Sequence, residues 1–109
     1  MKRLQKLCHK IAVDNGFWEK ALSSPNQGLW KEYRNNAEMI ALMHSELSEA
    51  LEAMRNNNWQ GKDCVGEELA DCVIRILDFC EARNIDLGKE ILKKIKIVKK
   101  RPYKHGKQF

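Results

Sequence analysis

The sequence predicts an all-α protein, a four-helix antiparallel bundle, and three observations lead there. Its 109 residues hold only two prolines and six glycines, and β-branched residues do not form long runs. Four stretches repeat apolar residues every three or four positions, the spacing of one helix face. Between and after them stand turn formers and stops: Asn15-Gly16, the run Asn56 to Asp63, Asn84, and Pro102. The length suits one domain over 1–109, large enough to bury a core.

The first helix is expected over residues 2–14, with Leu4, Leu7, Cys8 and Ile11 on one stripe. Gly16 ends it, because glycine accepts the left-handed backbone that closes a helix. Phe17 and Trp18 follow at once and are expected to fold back onto the bundle. Residues 20–35 contain Ser-Ser-Pro-Asn and a glycine, so they read as a loop or lid. Trp30 in that loop is a candidate to stack on a nucleobase, with core packing as the plainer role. Asn35 and Glu38 resemble a capping box for the second helix, which runs to about Arg55. Its expected core stripe is Ile40, Met43, Leu47, Ala50, Leu51 and Met54, and His44 leans towards that side. Asp63 is placed to cap the third helix, roughly Cys64 to Arg83. There Val65, Leu69, Cys72, Val73, Ile76, Leu77, Phe79 and Cys80 cover nearly half the circumference. That exceeds what one neighbour needs, so this helix is expected to be central or to lie at a subunit interface. Asn84 or Asp86 caps the fourth helix, from about Leu87 to Lys100, with Ile91, Ile95 and Val98 inward. Pro102 stops it and leaves a basic tail, 101–109.

Charge is unevenly distributed. The net charge is +5, yet residues 89–109 hold nine Lys or Arg against one Glu, which leaves 1–88 acidic. A basic end on an acidic domain suits nucleic acid or a polyphosphate. There is no signal-like segment and no apolar run near 18 residues, so a cytoplasmic protein without a membrane partner is expected. The four cysteines lack C-x-x-C spacing, and they read as buried, reduced thiols rather than as a metal or redox site.

The informative stretch is HSELSEALEAMRNNNWQGKDCVGEELAD, His44 to Asp71. Glu46 and Glu49 are three apart, and so are Glu68 and Asp71; residues at i and i+3 share a helix face. If the two helices fold back at the polar turn, Glu49 lies about 10 Å from the turn and Glu68 about 7.5 Å. Glu46 and Asp71 then match at about 15 and about 12 Å. One hairpin thus gathers four carboxylates, which repel unless a cation sits among them. An all-carboxylate set suits a hard ion, Mg²⁺ with Mn²⁺ as substitute, rather than zinc. Acids on helices also commonly decorate a solvated surface. Against that, Glu46 and Glu49 interrupt a strip with Met39, Leu42 and Ala53, and Glu68 adjoins Cys64, Cys72 and Phe79. Glu52, Glu67 and Glu81 read as surface acids. Arg75, one turn after Asp71, is expected to pair with it and brace the acids, or to meet a phosphate.

With E-x-x-E, an 18-residue gap and E-x-x-D in place, the chain resembles the MazG-like all-α nucleoside triphosphate pyrophosphohydrolases. The likeness runs from Gly16-Phe17-Trp18 through HSELSEALEAMR and EELADCVIRILD to RPYKHGK. It implies a helical bundle that forms a homodimer or homotetramer. It implies Mg²⁺ held by Glu46, Glu49, Glu68 and Asp71, and hydrolysis of an NTP or dNTP to a monophosphate and pyrophosphate. Glu46 and Glu49 are then the candidate catalytic acids, and Lys93, Lys100, Arg101 and Lys104 the candidate phosphate contacts, with Trp30 for the base. Val98 stands where such proteins often carry Asn. The residues agree with this chemistry, which needs charge neutralisation and a positioned water more than covalent help. The rival expectation is a small helical nucleic-acid-binding or regulatory protein acting through its basic tail. Four acids in one place make nucleic acid the less favoured partner.

Overall fold

The computed structural model describes residues 1–19 and 35–103, and among these it is all helix. Trp30 and Lys104 lie outside the described residues, as do residues 20–34 of the loop or lid expected over 20–35. Four helices follow in order: α1 (Lys2–Asp14), α2 (Asn36–Arg55), α3 (Val65–Ala82) and α4 (Leu87–Lys99).

The ends of these helices follow from local chemistry. The side chain of Asn35 accepts hydrogen bonds from the Ala37 and Glu38 amides and so caps α2. Asp86 caps α4 by accepting from the Lys89 amide. Three helices close by one motif: a left-handed residue lets its own amide and the next one return to the last turn. After α1, Gly16 is left-handed, and the Gly16 and Phe17 amides reach Val13 and Ala12. After α2, Asn57 takes that conformation; after α3, Asn84 does. Asparagine tolerates it better than other side chains, which explains the residue choice at both points. Asn84 therefore ends α3, and Asp86 alone starts α4. Asp63 also departs from expectation. It is itself left-handed inside the turn, and Cys64 takes the cap position without a side-chain bond. Asn58 holds this turn by donating to the carbonyls of Lys62 and Asp63.

Helix α3 is central, packed on α2 along one side and on α1 along another. Its Leu77 is 1% exposed, and truncation to Ala would cost about 2–5 kcal/mol. The α2–α3 seam is built from small or flexible groups, Met39, Met43, Ala50 and Ala53 against Val65 and Cys72. The Cys72 thiol donates to the Met43 carbonyl at 3.5 Å. The α1–α3 seam is polar. Gln5, wholly buried, donates to Glu81 and to the Ile85 carbonyl and accepts from the Leu87 amide. All four cysteines are free and buried.

Several expected core residues are not covered. Leu4, Leu7 and Ile11 on α1, Ile40, Leu47, Leu51 and Met54 on α2, and Leu69 and Val73 on α3 are each roughly half exposed. On α4, which buries no residue, Ile91, Ile95 and Val98 are exposed instead of inward. Phe17 is also exposed, while Trp18 does fold back and is buried. His44 lies at the surface. On the packed helices the reason is shared: periodicity finds an apolar face, whereas packing selects the edge that lets two backbones approach. On α2 that edge is Ala50 and Ala53, which swings Glu46 inward and turns the larger side chains away. No helix among the described residues is long and apolar enough to cross a membrane.

Candidate active site

The α2–α3 seam draws acids inward because they share its small-residue edge. Glu46 lies in register with Met43 and Ala50, and Glu68 with Val65 and Cys72; both acids are buried. One carboxylate oxygen each from Glu46, Glu68 and Asp71 fall within 4.8 Å of one another. Asp71 is exposed at the edge of the group. Glu49 is also exposed and shares a hydrogen bond with Glu68, so all four expected acids adjoin at the hairpin.

Glu68 is the centre of this group, and its electrostatics are the most perturbed. As a carboxylate, it has a buried oxygen, Oε2, with no hydrogen-bond donor in reach. Its pKa is raised from 4.5 to about 7, first by a hydrogen bond shared with Glu49, then by burial, then by the charges of Glu49, Asp71 and Glu46. A proton between Glu68 and Glu49 meets that need in part. A divalent cation meets it as well, and the donor set of carboxylate oxygens fits a hard ion.

Two cavities flank the acids. One, of about 340 Å³, lies between α1 and α3; Glu46 and Asp71 open onto it, with Ile11, Ala12, Phe17 and Ile74 as its apolar wall. The other, of about 480 Å³, lies at the hairpin turn, where Glu49, Glu52, Glu68 and Asp63 line it. Arg75 does not pair with Asp71 across one turn. Its Nε donates to Glu46 Oε1 on the other helix at 2.9 Å, so it bridges α3 to α2. Glu81, expected as a plain surface acid, takes bonds from Lys2 and Gln5, and the Lys2 bond chiefly holds its carboxyl below the usual range.

Two buried groups carry no signal that the sequence reading used. Asp78 is buried and accepts from Trp18 Nε1 at 2.9 Å, and it pairs with His9 Nδ1 at 2.7 Å. This fixes the segment after α1 against α3 and forms one end of the first cavity. Asp78 stands seven residues after Asp71, two helical turns on, and that spacing is the signal available for it. Gln5 has none, because a lone glutamine on an amphipathic helix looks like surface. Cys8 also lines the first cavity, but burial, and next the Asp78 charge, push its thiol up, which disfavours a thiolate nucleophile.

The basic candidates stand apart from the acids. Lys93 and Lys100 are exposed on or beside α4, and Arg101 follows them, also exposed. The packing that assembles the acids, α2 on α3, does not include α4. Comparison with protein-family models, with curated proteins and with solved structures finds no match to this chain.

Proposed function

We propose that this chain is a divalent-metal-dependent nucleoside triphosphate pyrophosphohydrolase, acting on an NTP or dNTP. The observation that carries the reading is the convergence of Glu46, Glu68 and Asp71 around a buried, donorless Glu68 oxygen, open to a cavity through Glu46 and Asp71. Glu46, Glu49, Glu68 and Asp71 would hold Mg²⁺ or Mn²⁺, and the ion supplies neutralising charge for the phosphate chain. The cavity between α1 and α3 has the volume and apolar wall of a small-molecule site, which suits a nucleoside. Glu49, exposed beside Glu68, accepts a proton from the attacking water. That water bonds to the α phosphorus, the bond to the bridging oxygen breaks, and the monophosphate and pyrophosphate leave.

The test is direct. Mn²⁺ titration of the purified protein should give saturable binding, and a screen of NTPs and dNTPs should release pyrophosphate with no diphosphate at any time. In ¹⁸O-water the label should enter the monophosphate. Diphosphate with orthophosphate would identify another reaction. Failure to bind Mn²⁺, together with salt-sensitive binding of nucleic acid, would favour the rival reading through the basic end.

The reading includes a second copy of the chain. On α2, Ile40, Leu47, Leu51 and Met54 fall within about 60° of arc, and on α3 Leu69 and Val73 continue the same side, roughly opposite Glu49. Charged residues make up 32% of the chain, yet none enters this arc. The strip spans about 20 Å along the hairpin and about 20 Å across two helices. Pairing two such faces covers on the order of 1,000 Å² once side-chain relief is counted, near the lower bound for a specific interface. Replacing Leu47 and Leu51 by Glu should halve the mass seen by sedimentation; an unchanged mass would reject this face.

A further inference from the structure

We infer that Arg75 is a phosphate ligand of this site, an inference that rests on the proposed reaction and names a residue for its substrate's anionic part. Arg75 spends one donor, Nε, on Glu46. A guanidinium has five N–H donors in a planar fork, and the edge formed by its two terminal nitrogens makes no other hydrogen bond or ion pair among the described residues. The side chain is 36% exposed and lines the cavity onto which Glu46 and Asp71 also open. It is the one cationic side chain on that wall among the described residues.

This arrangement has a chemical consequence. The bond from Nε takes one oxygen of Glu46 and fixes the guanidinium plane, leaving the other oxygen of Glu46 for a cation. The free edge of the fork is then held beside the acids at little further entropic cost. Two parallel N–H donors match two oxygens of a phosphoryl group, which a lysine ammonium cannot do. Lys93 and Lys100 sit on or next to a helix that does not pack against α2, so Arg75 is the cation already placed within the protomer.

The probe is inorganic pyrophosphate, whose binding does not depend on knowing the base. Pyrophosphate affinity is measured by calorimetry at a fixed free Mn²⁺ concentration, for native protein, Arg75→Gln and Arg75→Lys, with Mn²⁺ affinity measured separately. Arg75→Gln should keep Mn²⁺ affinity within about threefold. It should weaken pyrophosphate roughly ten- to hundredfold, the range for a charged hydrogen bond. Arg75→Lys should fall between, and it carries the test if the Gln variant does not fold. Native-like pyrophosphate binding by a folded Arg75→Gln protein overturns the role while leaving the proposed reaction intact. Loss of Mn²⁺ binding in that variant overturns it too, because Arg75 then acts only by bracing Glu46. Absence of Mn²⁺ binding by the native protein would instead sink the metal reading itself.

Discussion

The α2–α3 hairpin and α4 both carry charge at helical spacing, yet packing treats them in opposite ways. On the hairpin, Glu46 and Glu68 are buried, and three acids bring oxygens within 4.8 Å. On α4 and its C-cap, Lys89, Lys93, Lys96 and Lys100 share one side by the same periodicity, and the helix buries nothing. Acids pulled into a seam lose water and repel one another, and the carboxyl of Glu68 is raised to about 7; lysines on an uncovered helix keep their water. The lesson is that spacing nominates charged groups, and desolvation turns them into a site.

The sharpest way to break this contrast is Glu68→Gln. It should abolish Mn²⁺ binding and reduce hydrolysis at least a hundredfold, read by titration and pyrophosphate release. Metal-free protein should melt at the same temperature or higher, since one of four repelling acids is gone. Unfolding with Mn²⁺ binding retained would make the acids structural.

A buried acid two turns further along α3, at the far end of the same cavity, should respond in the reverse sense. Asp78→Ala removes the acceptor shared by Trp18 and His9 and should cost about 2–4 kcal/mol in denaturant unfolding. Mn²⁺ affinity should change little. Equal damage to metal binding would show that the two acidic centres act as one.

For the basic end that follows α4 the expected effect is milder. Removing residues 101–109 should raise KM severalfold at low salt, less at high salt, without lowering the melting temperature. Unchanged KM at low salt would confine phosphate binding to the hairpin side.

The smallest effect is on pH. Glu68 titrates near 4.5 when unfolded and at about 7 when folded. A raised folded pKa means its stabilising contribution is complete below about 4.5 and is lost as pH rises to about 7. Metal-free native protein should therefore lose stability across that window relative to Glu68→Gln, in paired thermal melts. Mn²⁺ affinity should fall as pH drops below about 7, because the proton competes for the same carboxylate. Parallel melting curves for the two proteins would remove Glu68 as the titrating group.

Much of the fold was legible in sequence because it is set locally. Asn35 and Asp86 announce helix starts, Gly16 and the Asn-rich turn announce ends, and these signals act within one turn of backbone. The pairing of Glu46 with Asp71 and Glu49 with Glu68 was legible too, since rise per residue fixes height once a hairpin is assumed. The structure decided what depends on neighbours far along the chain. It chose Ala50 and Ala53 over Leu47 and Leu51 for the seam, because close backbone approach favours small residues. It sent Arg75 across to Glu46 instead of along its own helix to Asp71, and it buried Gln5 and Asp78 between α1 and α3. Local hydrogen bonds and helical rise are properties of the sequence itself. Which face is covered, and which charge loses its water, is set by contacts between residues up to 80 or so positions apart, and only the folded chain makes them.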